Sequence, residues 1–225
     1  MENPFEAGRM ILINKPQHWT SADVVKKIRN LVNAKVGHAG TLDPLATGLL
    51  ILCTGKFTKK ISEYMSQEKE YTGTFTLGAT TASDDLENDP GNFKDYSGIT
   101  DFQLQAAALS LTGEILQMPP AFSAVKKNGR RAYDLARQGK TVVLDPRKIT
   151  IRHFELRSSA LPVIDFRVIC STGTYIRSLA RDLGEALGCG AYLSKLCRTR
   201  IGSYTLEDSL TVEEAEKKLK GIIDA

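Results

Sequence analysis

Residues 149–170 read Ile-Thr-Ile-Arg-His-Phe-Glu-Leu-Arg-Ser-Ser-Ala-Leu-Pro-Val-Ile-Asp-Phe-Arg-Val-Ile-Cys. Apolar and polar side chains alternate over 149–156 and again over 163–170. A period of two sets one face of a strand on a core and the other in water. The two runs read as the strands of an antiparallel pair.

Working outward, strands and helices are intermixed. Residues 10–14 form a short apolar run ending at Lys15-Pro16. Thr20-Ser21-Ala22-Asp23 has the form of a capping box. Val24, Val25, Ile28, Leu31 and Val32 follow at helical spacing. Residues 49–53 read as a buried strand, and 59–65 as a turn or two of helix. Over 70–78, Tyr71, Gly73, Phe75 and Leu77 share one face and Thr72, Thr74 and Thr76 the other, the pattern of a half-buried strand. Residues 80–98 are a polar loop. Thr100 caps a helix over 102–111 that Gly113 ends. Pro119-Pro120 break the chain, and 131–138 can be helical before Gly139. Residues 174–187 form an amphipathic helix with Ile176, Leu179, Ala180, Leu183 and Leu187 inward. Thr211-Val212-Glu213-Glu214 opens a last helix to Ile222. No strand–helix–strand rhythm recurs, so the chain is expected to be α+β, a mostly antiparallel sheet flanked by helices.

The composition narrows the class. With 42 % hydrophobic and 25 % charged residues over 225 positions, the chain is neither disordered nor fibrous. It is long enough to bury most of its unfolded surface without staples. Cys53, Cys170, Cys189 and Cys197 form no C-x-x-C pair and read as reduced thiols of a cytoplasmic protein. No apolar run has the length of a membrane helix, and the first residues lack a signal-peptide core.

The net charge of +4 is modest, but its distribution is uneven. Ten basic and three acidic residues lie between Lys126 and Arg157, whereas 84–95 hold five acids and one lysine. A basic patch beside an acidic remainder suits a phosphate backbone, although scattered lysines on a solvated face produce the same count. Gly55-Lys56 fails the phosphate-loop pattern at positions 50 and 57. Residues 85–96 resemble a calcium loop only faintly, with Pro90 where glycine is required and Tyr96 where a glutamate is. His18, His38 and His153 are far apart. The sequence indicates no metal or organic cofactor.

What remains is the stretch 35–48, Lys-Val-Gly-His-Ala-Gly-Thr-Leu-Asp-Pro-Leu-Ala-Thr-Gly, read as a loop between a helix and a buried strand. Loops on rigid scaffolds carry sites. Pro44 biases Asp43 away from helical angles, which fits a catalytic carboxylate and equally an ordinary Asp-Pro turn. At 170–177 a strand turns through Gly173 into a helix with Tyr175 and Arg177 in its first turn. An arginine there gains nothing from the helix dipole, so Arg177 is expected to pair with a carboxylate or a phosphate. Tyr71 stands at a strand entrance, where core packing is the simpler role.

Together these residues resemble the TruB family of tRNA pseudouridine synthases. The match runs over nearly the whole chain: Asn14-Lys15-Pro16 with Trp19-Thr20-Ser21, the loop 37–48, Lys69-Glu70-Tyr71, the stretch 118–126, Gly129-Arg130 with 132–139, Gly173 to Arg177, and Leu196 with Arg198 and Gly202. Phe122 stands where the family usually has tyrosine. The resemblance implies a single catalytic domain over 1–225, a short form without the C-terminal RNA-binding domain usual in bacterial relatives. It implies isomerisation of uridine 55 in the T loop of tRNA, by a monomer. Asp43 matches the catalytic aspartate, and Arg177 the guanidinium that keeps it ionised. Tyr71 would stack on the flipped uracil, Tyr175 and Leu196 would line its pocket, His38 would contact the RNA, and Lys15 would support the loop. The basic stretch 119–147 resembles the family's thumb insertion, in which Lys126, Arg130, Arg131 and Arg137 would meet phosphates and order on RNA. An RNA-folding module without chemistry, or a synthase with another RNA target, are the alternatives.

Overall fold

A computed structural model of the chain describes residues 3–123, 126–127, 130–136, 138 and 144–223. In chain order the elements are β1 (Met10–Lys15), α1 (Ser21–Val32), β2 (Val36–Ala39), β3 (Thr47–Thr54), α2 (Ile61–Ser66), β4 (Lys69–Leu77), α3 (Asp101–Ser110) and β5 (Gly113–Gln117). There follow β6 (Lys126–Lys127), β7 (Arg130–Arg131), α4 (Ala132–Ala136), β8 (Arg147–Ala160), β9 (Val163–Cys170), α5 (Ile176–Ala186), β10 (Ala191–Ile201), β11 (Tyr204–Thr205) and α6 (Val212–Ile223). The architecture is α+β with mixed pairing. Two compact units divide the chain: 1–71 with 196–225, and 72–195. No helix among the described residues is long and apolar enough to cross a membrane.

In the first unit β3 is the centre. It pairs antiparallel with β1 and β2, and parallel with β10 through Cys197 opposite Thr47 and Arg198 opposite Gly48. Leu50 and Leu52 pack with Ile11, Ile13, Val24, Ile28, Val212 and Ala215, the inner faces of β1, α1 and α6. Leu49, Ile51 and Cys53 pack on the opposite side with Tyr64 and Ile201. Burial on both faces is why the β3 run is continuously apolar instead of alternating. Gly48 has φ +104, and a Cβ there would lie 2.4 Å from the Arg198 carbonyl oxygen, so glycine permits the close parallel approach of β10.

In the second unit β8 and β9 form the expected antiparallel pair, from Ile151 opposite Cys170 to Ala160 opposite Val163. Ile164, Phe166, Val168 and Cys170 are buried, as the alternation requires. Phe166 stacks on Phe75 at 4.1 Å between ring centroids, and Phe154 meets Phe75 edge-on at 6.3 Å. The reciprocal caps at Thr20 with Asp23, Thr100 with Gln103, and Thr211 with Glu214 all form.

Several strands depart from the sequence reading. The stretch 35–48 is not all loop: Val36 to Ala39 pair with the far end of β3, so the turn shrinks to 40–46. Gly113 does end α3, but it also begins β5, which pairs with the start of β8. β10 was not anticipated, because its three cations mask its pattern. Half of 124–143, including Arg137, lies outside the described residues; the backbones of Lys126, Lys127, Arg130 and Arg131 form the small antiparallel pair β6–β7.

Candidate active site

The Asp43 turn is built from beneath by buried cations. Lys15, the last residue of β1, is fully buried, and its Nζ donates to the carbonyls of Pro16, Trp19 and Pro44 at 2.9, 2.6 and 3.4 Å. Ser21, at the start of α1, binds Leu42 twice: its Oγ accepts the Leu42 N–H at 2.9 Å and donates to the Leu42 carbonyl at 3.1 Å. The His18 N–H donates to the Pro44 carbonyl at 2.8 Å, and the Ala46 N–H closes the turn on the Asp43 carbonyl at 3.1 Å. Arg198, buried on β10, donates through Nε to the Leu49 carbonyl at 2.8 Å and through a terminal nitrogen to the Gly40 carbonyl at 3.0 Å. The turn is therefore clamped at Gly40, Leu42 and Pro44, on both sides of Asp43.

The electrostatics follow from this burial. Loss of water pushes the Lys15 ammonium down to about 8, against the pull of the Asp43 carboxylate and with the push of Arg198. Lys15 and Asp43 thus sit within interaction range of each other. His38, on β2, is also held low, first by burial and then by Arg198, with its bond at the Gly40 backbone opposing. Tyr71 is buried at the end of this unit's part of β4. The half-buried Leu196 accepts the Thr47 hydroxyl on its carbonyl at 3.3 Å. The structure gathers Lys15, His38, Asp43, Tyr71 and Leu196 in the first unit.

The second unit holds Tyr175 and Arg177. Gln117, buried at the end of β5, clamps the start of α5: its amide oxygen accepts the Tyr175 N–H at 2.8 Å and its amide nitrogen donates to the Tyr175 carbonyl at 3.1 Å. Arg177 does find a carboxylate, that of Asp85 at 3.6 Å, with both side chains buried. Its terminal nitrogens donate to the carbonyls of Ser83 at 3.1 Å and Phe122 at 2.9 Å. One turn further along α5, Arg181 meets Asp84 at 3.1 Å and the Met118 carbonyl at 2.8 Å. The Ser178 hydroxyl also donates to the Met118 carbonyl, at 2.8 Å.

Sequence reasoning assigned no role to Asp84, Asp85, Gln117 or Arg181. It counted the two acids within a polar loop. The available signal was a pair of arginines four apart on an amphipathic helix, which needs acids from elsewhere once that face is buried.

Comparison with known proteins places this arrangement among the pseudouridylate synthases. The sequence model described as the TruB family pseudouridylate synthase N-terminal domain matches residues 26–176, and that of the tRNA pseudouridylate synthase B C-terminal domain matches 177–221. The tRNA pseudouridine synthase B of Flavobacterium johnsoniae is 48 % identical over 221 residues, covering 95 % of this chain and 96 % of its own. That of Phocaeicola vulgatus is 50 % identical over 216 residues, covering 93 % and 92 %. Among solved structures, a chain of a Cbf5-Nop10-Gar1 complex superposes with a TM-score of 0.73 at 29 % identity, over 95 % of this chain and 54 % of that one. The present chain thus spans about half the length of that solved chain. The chain belongs to the TruB family of pseudouridylate synthases.

Proposed function

We propose that this protein isomerises uridine 55 in the T loop of tRNA to pseudouridine, acting as a monomer in the cytoplasm. The observation that carries the reading is the Asp43 turn, clamped on both flanks by buried cations and a buried serine. A turn held so firmly fixes the backbone from which the Asp43 carboxylate projects, and preorganisation is where such a site gains its rate. Family membership and relatives of nearly equal length named for the same reaction support it.

In this reading the N-glycosidic bond of the uridine breaks, the uracil turns, and a carbon–carbon bond to the same ribose forms. Asp43 serves as the nucleophile or stabilises the detached sugar. The base must leave its stack to arrive there, and Tyr71 supplies the ring against which it packs. Tyr175 and Leu196 line the pocket, and His38 contacts the RNA. Arg177 is the partner that keeps the carboxylate ionised. Lys126, Arg130, Arg131 and Arg137 neutralise phosphates. The test is incubation with an unmodified tRNA transcript, followed by mapping of pseudouridine at single-nucleotide resolution. Conversion at position 55 alone is expected. Binding without conversion would favour an RNA-folding role, and conversion elsewhere a different target.

A further inference from the structure

Helix α5 carries two arginines one turn apart, and each spans the same two stretches of chain. Arg177 runs from Ser83 and Asp85 to the Phe122 carbonyl. Arg181 runs from Asp84 to the Met118 carbonyl. Three consecutive residues, 83, 84 and 85, therefore grip the two guanidinium groups in alternation, and residues 118 and 122 receive them. The Arg177 bridge is the deeper: side-chain exposure is 6 % and 5 % for Arg177 and Asp85, against 22 % and 14 % for Arg181 and Asp84. Ser83, Asp85 and Phe122 on Arg177 each lie within four residues of Asp84 or Met118 on Arg181.

We infer that Asp84 and Arg181 are positioning residues for the proposed isomerisation, holding residues 83–85 and 118–122 so that the Arg177 guanidinium is fixed. The inference rests on the reading of Arg177 given above. Asp84 touches no reacting atom and works only through Arg177.

The cost of keeping this pair supports a role beyond stability. Asp84 is held at φ +61, in the left-handed region that residues other than glycine seldom adopt. The charged groups facing it are Arg181, Arg177 and Asp182 from α5 and Asp85 from its own loop. Burial outweighs the pull of the two arginines and pushes its carboxyl up to about 6. A neutral side chain would sit there more easily than the ionised one. Retention of a carboxylate against that preference is explained if it is needed to orient Arg181.

The test uses the full chain and an unmodified tRNA transcript, with kcat, KM, Tm and the pH profile from 5 to 8 measured for wild type, Asp84→Asn, Arg181→Lys and Arg181→Gln. At pH 7.5, Asp84→Asn and Arg181→Gln should lower kcat by about ten- to a hundredfold, the scale of a small misplacement of a reacting group. KM should stay within about threefold of wild type, and Asp84→Asn should melt no lower than wild type. Wild-type kcat should decline as pH falls through about 6, and Asp84→Asn should lack that decline. Arg181→Lys, which keeps the charge without the two-sided reach, should recover only part of kcat. Variants with wild-type kcat, a loss that tracks Tm, or an acid decline preserved in Asp84→Asn would each overturn the inference. An inactive wild type would overturn the proposed function with it.

Discussion

The first unit sets the buried Lys15 and Arg198 beneath Asp43, the second carries the buried Arg177 and the half-buried Arg181 on α5, and the two pairs are compensated differently. In the first unit Lys15 and Arg198 donate to backbone carbonyls: Pro16, Trp19, Pro44, Leu49 and Gly40. In the second, Arg177 and Arg181 bridge from the carboxylates of Asp85 and Asp84 to backbone carbonyls. Carbonyls do not titrate, so the acceptors are the same at any pH and define the path of the chain. Carboxylates titrate, and they fix a guanidinium in a plane. The first unit builds a rigid floor for a carboxylate; the second fixes a guanidinium fork that never loses its own charge. The difference can be broken or sharpened by substitution.

The largest effect should come from Asp43→Asn. An amide of the same shape leaves the clamps at Gly40, Leu42 and Pro44 in place. Isomerisation should drop more than about a thousandfold, while affinity for tRNA stays within a few-fold of wild type. Retention of more than about a thousandth of the rate would reduce Asp43 to an assisting acid or base, whose contribution is about 10²–10⁴.

Next in size is Arg198→Met. The methionine fills part of the space but removes the guanidinium's two hydrogen bonds to the Leu49 and Gly40 carbonyls in a buried site. An unmet buried hydrogen bond costs about 1–3 kcal/mol, so a loss of about 3 kcal/mol is expected from two. At about 2–4 °C per kcal/mol for a chain of this size, Tm should fall by about 10 °C. An unchanged Tm would mean that the carbonyls, not the guanidinium, carry the clamp, and the contrast between the units would collapse.

These two sites differ in how far they could be read from the sequence, for the same physical reason. The Asp43 turn announces itself through glycines, a proline and a local carboxylate, all within 14 residues. The β8–β9 pair and the caps at Thr20, Thr100 and Thr211 are likewise local patterns and are found where expected. The Asp84–Arg181 pair spans 97 positions, and no local pattern reports it. β10 was hidden for a related reason. Its Arg198 reaches carbonyls 149 and 158 positions away, and its Arg200 bridges Glu68 and Glu70. Cations that read as solvent-facing are satisfied by residues that only the fold brings near.

Tyr71 sharpens the reading of the first unit. Phenylalanine keeps the ring face and leucine removes it, so the two variants should separate in RNA affinity by about 1–3 kcal/mol, the value of a base–aromatic stack. Equilibrium binding to a T-arm RNA measures the difference. Equal affinities would assign Tyr71 to packing alone.

The smallest effect concerns stability and its sign. Asp84 titrates at about 6 in the folded protein against 3.8 in the open chain, because burial disfavours its charge. Between those values the folded state holds the proton that the unfolded state has lost, so this group makes stability fall as pH rises from about 4 to above 6. From pH 7 down to 5 it should add about 1 kcal/mol, whereas carboxylates with lowered values, such as Glu155 beside Arg157, begin to subtract as pH approaches their ordinary range. The net slope of the wild type mixes these contributions. The difference between wild type and Asp84→Asn isolates one of them: between pH 7 and 5 the wild type should gain about 1 kcal/mol on the variant, or about 2–4 °C in Tm. Parallel curves would show that Asp84 is already neutral at pH 7 or is solvated in both states. The acid pairing of the second unit would then be no more sensitive to pH than the carbonyl-held floor of the first.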